Sequence, residues 1–109
     1  MQIDVYTLSD ILVAHRRAMA AYRKEHLPLG RNAIEVMLYA YRKYSITTTE
    51  VSRNLLRTNI TQTKCTIKIL VSKGVLWSHR HGVKGNPARF YLTEYGKRSV
   101  AAYLSFLTG

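Results

Sequence analysis

The chain has 109 residues, of which 47% are hydrophobic, enough for one domain with a small core. It carries 17 Lys and Arg against 6 Asp and Glu, a formal net charge of +11, and its two Pro and six Gly leave little room for disorder. These totals exclude a disordered basic tail, and such a charge excess is typical of proteins that bind nucleic acid.

The sequence predicts a soluble cytoplasmic protein without a membrane association. Residues 1–10 contain no basic region followed by an apolar run, so we expect no signal peptide. The apolar runs are far shorter than the ~20 residues that span a bilayer. The single cysteine, Cys65, excludes an internal disulfide and fits a reducing compartment.

Two helices are predicted in the first part of the chain. Apolar residues at helical spacing indicate a first helix over about 8–24, and Thr7 with Asp10 has capping-box spacing. Residues 27–30 interrupt this pattern, and a second helix follows that ends near Tyr44. The periodic positions are Leu8, Ile11, Leu12, His15, Met19 and Tyr22 in the first helix, and Ala33, Ile34, Met37, Leu38 and Tyr41 in the second.

A helix-turn-helix follows over about residues 47–73. Thr47 and Glu50 form a capping box that opens a short third helix, with Val51 and Leu55 turned inward. The predicted turn is 57–59.

A fourth helix then starts at the capping pair Asn59 and Gln62, and it ends at Lys73-Gly74. After it the sequence favours two strands, 75–80 and 88–92, around a Gly-, Asn- and Pro-containing tip at 81–87. A last helix covers about 94–107, with Val100, Tyr103, Leu104 and Leu107 as its apolar positions. The predicted fold is therefore a single domain, 1–109, mainly α with a small β-hairpin: a winged helix-turn-helix with a wing over about 75–92.

The carboxylates indicate that the chain is not an enzyme. Asp10, Glu35, Glu50 and Glu94 each fall in the first turn of a predicted helix, where the helix dipole favours an anion, and only Asp4 and Glu25 do not. No carboxylate pair remains for acid–base chemistry or a metal ion. The sequence also lacks a nucleophile–base arrangement and a phosphate-binding Gly-rich loop, so we expect no cofactor.

The stretch 51–93 contains no Asp or Glu. It contains eight basic residues: Arg53, Arg57, Lys64, Lys68, Lys73, Arg80, Lys84 and Arg89. A solvated surface normally mixes both signs, so a surface that omits one sign indicates a partner of the other, most often nucleic acid.

The fourth helix carries the predicted DNA-reading residues. On a helical wheel Ile60, Thr63, Ile67, Leu70 and Val71 share one side, and the opposite side gathers small polar groups and Lys. In a helix-turn-helix this second helix enters the major groove. Gln62 suits adenine, Thr61 a base or phosphate, and Cys65 a thymine methyl, whereas Lys64 and Lys68 suit phosphates. In the wing, Arg80, Lys84 and Arg89 are placed to contact backbone or the minor groove.

Residues 51–80 and 88–98 resemble the MarR-type winged-helix transcriptional regulators. The shared features are the helix-turn-helix, Lys73-Gly74 followed by apolar residues, and the segment Leu92-Thr93-x-x-Gly96-Lys97. The resemblance implies a homodimer formed through the terminal helices, a pseudo-palindromic DNA site and, usually, repression. The wing tip departs from the family in lacking an Asp-x-Arg pattern.

Several alternatives stay open at this stage. The chain also fits an RNA- or ribosome-associated basic domain, or a winged-helix interaction or assembly module. Cys65 is either a small apolar contact or a redox-sensitive position. His79 and His81 lack the companions of a metal site. Trp77 and the tyrosines are interpreted as packing residues, because base stacking requires several exposed rings on one platform.

Overall fold

A computed structural model describes residues 2–79 and 87–108 of the chain. The helices are α1 (Val5–Glu25), α2 (Arg31–Lys43), α3 (Thr48–Glu50), α4 (Ile60–Ser72) and α5 (Glu94–Thr108), and the strands are β1 (Leu76–Ser78) and β2 (Phe90–Leu92). Helix α3 continues in a π-helical stretch, Val51–Leu56. This order confirms the winged helix-turn-helix predicted from the sequence.

Helix α1 begins at Val5 rather than near Leu8. The carboxylate of Asp4 accepts a hydrogen bond from the backbone N–H of Thr7 at 2.8 Å and so caps the helix. This bond also lowers the pKa of Asp4. Two sequence expectations are therefore wrong: Asp4 does have a place at a helix N-terminus, and Asp10 lies beyond the first turn.

The helix-turn-helix starts and turns where the sequence predicts. Thr47 accepts from the backbone N–H of Glu50 at 3.2 Å, and the Glu50 carboxylate accepts from that of Thr47 at 3.0 Å, a complete capping box. The turn passes through Arg57, whose φ of 54° is left-handed, and the Ser52 hydroxyl donates to the Thr58 carbonyl. The tight turn therefore has its own polar stabilisation.

One hydrophobic core joins α2 to the surrounding elements. Its largest fully buried side chains include Tyr22, Leu29, Ile34, Met37, Ile46, Leu70 and Leu76. Burial of each such aliphatic side chain stabilises the fold by about 1.5–3 kcal/mol. The core thus fixes α4 and the hairpin against α2, which positions both elements of the candidate interface.

The hairpin is short and has two different faces. Leu76 pairs with Leu92 and Trp77 with Tyr91 in an antiparallel register. Leu76 and Leu92 are buried, so the alternation of strand side chains places Trp77 and Tyr91 on the opposite face. The strand predicted from residue 75 starts one residue later, because the N–H of Val75 donates to the Leu70 carbonyl at 2.9 Å in the end of α4.

Helix α1 is buried over only part of its length. Ala18, Met19 and Tyr22 are buried, whereas the apolar side chains of its first half are exposed. Their exposed fractions are 46% for Leu8, 51% for Ile11 and 49% for Leu12. Among the described residues, no helix is both long and apolar enough to cross a membrane.

Candidate nucleic-acid interface

Helix α4 presents the predicted DNA-reading residues to solvent. Thr63, Ile67 and Leu70 are buried on its inner side. Thr61, Gln62, Lys64, Cys65 and Lys68 are all exposed. Two residues predicted on the inner side are less buried than expected, since Ile60 is 39% and Val71 is 42% exposed. Both line an open groove of about 970 Å³ that separates α4 from the base of the wing.

The side chain of Gln62 is oriented at the N-terminus of α4. Its backbone N–H donates to the Asn59 side chain at 2.8 Å, so half of the predicted capping pair is present. The other half is not: the amide oxygen of Gln62 accepts from the Thr58 hydroxyl at 2.8 Å. This bond uses the amide oxygen of Gln62 and leaves its amide nitrogen as a donor. In a helix-turn-helix, this end of the second helix enters the major groove.

Cys65 is an exposed free thiol between Lys64 and Lys68. The position agrees with a small contact on the outer face of α4, and the redox interpretation stays a prediction. Within residues 2–79 and 87–108, no group of three or more His, Cys, Asp and Glu side chains is arranged to hold a metal ion.

The wing is described only at its base. Arg89 is exposed, and its guanidinium donates to the Ser45 hydroxyl at 3.1 Å, which ties the start of β2 to the segment after α2. The predicted contacts Arg80 and Lys84, and His81 with them, lie outside the described residues. The wing contribution therefore rests on Arg89 and on the sequence.

The basic side chains of the acid-free stretch are available to a partner. Its cations within the described residues are all exposed: Arg53, Arg57, Lys64, Lys68, Lys73 and Arg89. Across the part of the chain that the structure describes, the two ion pairs are His15–Glu35 and Lys97–Glu94, both elsewhere. No carboxylate in this region therefore competes with phosphate for these cations.

His15 in α1 contacts side chains of α5 and α2. One ring nitrogen of His15 in α1 contacts the Tyr103 hydroxyl in α5, and the other lies 3.2 Å from the Glu35 carboxylate in α2. Burial and, next, the Glu35 charge raise the pKa of Tyr103. The sequence placed Glu35 in the first turn of its helix; it lies beyond that turn and bonds His15 instead.

An exposed aromatic surface was missed by the sequence reasoning, which assigned Trp77 and the tyrosines to packing. It consists of Tyr41, Tyr44, Trp77, His79 and Tyr91, and we call it the aromatic surface. Tyr44 is 79%, Tyr41 60% and Trp77 40% exposed. The alternation of Trp77 and His79 with inward-facing Leu76 was the available signal.

These features define a winged-helix protein with a basic helix-turn-helix face. No protein-family model matches the chain, and no curated protein sequence does. Solved structures do share its fold. Reduced MarR from E. coli aligns with a TM-score of 0.72 at 17% identity, over 99% of this chain and 79% of MarR.

Two further structures give the same result. The F27L mutant of MepR from S. aureus, solved bound to an oligodeoxyribonucleotide, aligns with a TM-score of 0.71 at 16% identity, over 97% of this chain and 78% of MepR. YusO from Bacillus subtilis aligns at 0.69 with 13% identity, over 93% of this chain and 67% of YusO. The MarR-type fold expected from the sequence is confirmed, and at these identities the likeness is one of fold.

Proposed function

We propose that this chain is a sequence-specific transcriptional regulator that binds double-stranded DNA as a homodimer and represses. The observation that carries the proposal is the outer face of α4, where Thr61, Gln62, Lys64 and Lys68 are exposed and no carboxylate intervenes. A recognition helix in the major groove requires this combination of polar readers and cations. The proposal also places the protein in the cytoplasm, together with the DNA that it binds.

The residues of α4 divide into two roles. The Gln62 amide pairs with adenine, and its terminal position on α4 suits the depth at which recognition helices meet base edges. Lys64 and Lys68 contact phosphates, which fix the register of the protein without reading sequence. Arg89, with Arg80 and Lys84 of the wing, adds backbone or minor-groove contacts.

The homodimer is formed by the terminal helices. Leu8, Ile11 and Leu12 of α1 are exposed together with Leu104 of α5, which is 45% exposed. Burial of these side chains against a second copy removes apolar surface from water. A two-fold axis there places two recognition helices on successive major grooves, about 10 bp apart. The solved structure of MepR with an oligodeoxyribonucleotide supports DNA as the partner of this fold.

Two substitutions test the division of roles. Gln62→Ala relaxes sequence preference because it removes the base contact, whereas Lys68→Ala weakens all duplexes alike and lowers the slope of log K against log salt by about 0.9. Lys97→Ala, which removes an exposed cation from α5, is the matched control and leaves both the sequence preference and the salt slope unchanged.

Titrations of a preferred and a scrambled duplex at several salt concentrations measure these effects. Equal loss of discrimination in both variants contradicts the proposal, and tighter binding to structured RNA than to duplex supports the RNA alternative instead.

A further inference from the structure

The aromatic surface forms a continuous row of rings. Tyr91 lies at its centre, 5.2 Å from Trp77, 5.5 Å from His79 and 5.7 Å from Tyr44 between ring centroids. Tyr41 lines the same groove, of about 830 Å³, together with Tyr44, Trp77 and Tyr91. The sequence argument against base stacking was the lack of several exposed rings on one platform, and the structure supplies that platform.

Packing of the hairpin explains only part of this row. A cross-strand pair such as Trp77 and Tyr91 stabilises two short strands. Tyr44 needs another reason, because its ring is largely exposed and its backbone has φ 70° and ψ −49°, a conformation that suits glycine. Tyr44 therefore occupies a backbone conformation that disfavours tyrosine, and its ring faces solvent.

The charges around the aromatic surface favour a polyanion. The single carboxylate that lines its groove, Glu94, is paired with Lys97 at 3.3 Å. The described cation that lines the groove is Lys97, and the protein as a whole carries a net charge of +11. One hairpin carries both surfaces, since Trp77 lines the aromatic groove on its outer face and Phe90 lines the groove beside α4. Planar groups joined by phosphates match exposed rings on a strongly basic protein.

We propose that the aromatic surface binds single-stranded nucleic acid by stacking its bases on Tyr44 and Trp77. This activity is separate from duplex recognition by α4, and the two use different faces of the hairpin. A strand displaced from a duplex near the bound protein is then held on the outer face of β1 and β2. Base stacking tolerates any sequence, so binding shows little base preference.

The test uses the full chain and a labelled oligothymidine of about 12 nucleotides, within the usual range of single-strand sites. Trp77 is the only tryptophan, so quenching of its fluorescence reports stacking directly. We expect quenching on binding, and at least about fivefold weaker binding for Tyr44→Gly. Glycine relieves the backbone at this position, so the variant keeps its fold.

Three controls separate stacking from simple charge attraction. Tyr6→Ala removes a tyrosine of similar exposure, 84% on α1 against 79% for Tyr44, and leaves single-strand affinity unchanged. An abasic strand of the same length keeps the phosphates and does not quench Trp77. Tyr44→Gly leaves duplex affinity unchanged, and Lys68→Ala leaves Trp77 quenching by the oligothymidine unchanged.

The inference is overturned if Tyr44→Gly binds the oligothymidine as tightly as the wild type, or if the abasic strand quenches equally. Tighter binding of a proline-rich peptide, another ligand of aromatic grooves, also overturns it. In each of these cases duplex binding through α4 is unaffected, so the failure is distinguishable from failure of the proposed regulator function.

Discussion

Thr93 and Gly96 join the end of α4, the hairpin and the start of α5. The Thr93 hydroxyl accepts from the backbone N–H of Gly96 at 2.8 Å and donates to the carbonyl of Gly74. Gly74 itself has a φ of 77°, which reverses the chain after α4. The segment Leu92–Lys97, part of the MarR resemblance, therefore contains a structural junction, at which Thr93 and Gly96 hold the end of α4 against the start of α5.

Gly96 is the sharpest test of this junction. A Cβ there overlaps the Val75 carbonyl and crowds the Leu92 side chain, so Gly96→Ala forces the backbone apart. We expect a loss of about 1–3 kcal/mol in the free energy of unfolding, measured by urea denaturation. Gly30→Ala is the control: a Cβ there meets nothing within 4 Å, so it reports only the smaller cost of changing the N-cap of α2. Equal stability of the Gly96 variant and wild type is incompatible with this packing.

The backbone conformation of Tyr44 could not be predicted from the sequence. Its backbone conformation costs of order 1–3 kcal/mol, and no Gly or Asn marks the position. Nothing local in the sequence predicts it. Trp77 was also assigned to packing, but strand alternation with an inward Leu76 would have predicted its exposure.

At the scale of elements, local hydrogen bonds determined how well the boundaries were predicted. The capping box of α3 was found because Thr47 and Glu50 bond each other within one turn. The start of α1 was wrong because Asp4 and Thr7 are both capping residues, and sequence does not decide between them. The outer face of α4 followed from periodicity alone. The aromatic surface did not, since it joins the end of α2 to both strands.

The exposed half of α1 makes a prediction at this scale. Ile11→Asp places a charge in the proposed dimer interface, so we expect dimerisation at least about tenfold weaker, equivalent to about 1.4 kcal/mol. Sedimentation velocity over a concentration series measures this. The control is Ile69→Asp on α4, an isoleucine of similar exposure, 48% against 51%. The dimer interface is placed wrongly if both variants assemble like the wild type.

At the scale of the whole molecule, the titration of two buried tyrosines makes the free energy of unfolding depend on pH. Burial is the main cause that raises the pKa of both Tyr22 and Tyr103. A folded pKa above the unfolded value of about 10 stabilises the fold below that pH, and the stabilisation is lost as pH rises through the folded pKa. We therefore expect the free energy of unfolding to decline above about pH 10.

Tyr103→Phe isolates one of these groups. The variant keeps the ring and loses the ionisable hydroxyl that contacts His15, so its stability falls less steeply than that of the wild type between pH 9 and 11. Urea unfolding at each pH gives the comparison, and lysine deprotonation affects both proteins equally. Parallel curves for the two proteins show that Tyr103 does not contribute.

The net charge of +11 brings the whole molecule to DNA but reads no sequence. The central claim is that the exposed face of α4, with Gln62 at its N-terminus, supplies the reading. Selection of bound duplexes from a random DNA pool tests this most directly. The account predicts an enriched palindromic consensus with half-sites about 10 bp apart, which the Gln62→Ala variant relaxes at the base pair that Gln62 contacts. A pool that gains no consensus while binding strongly contradicts it.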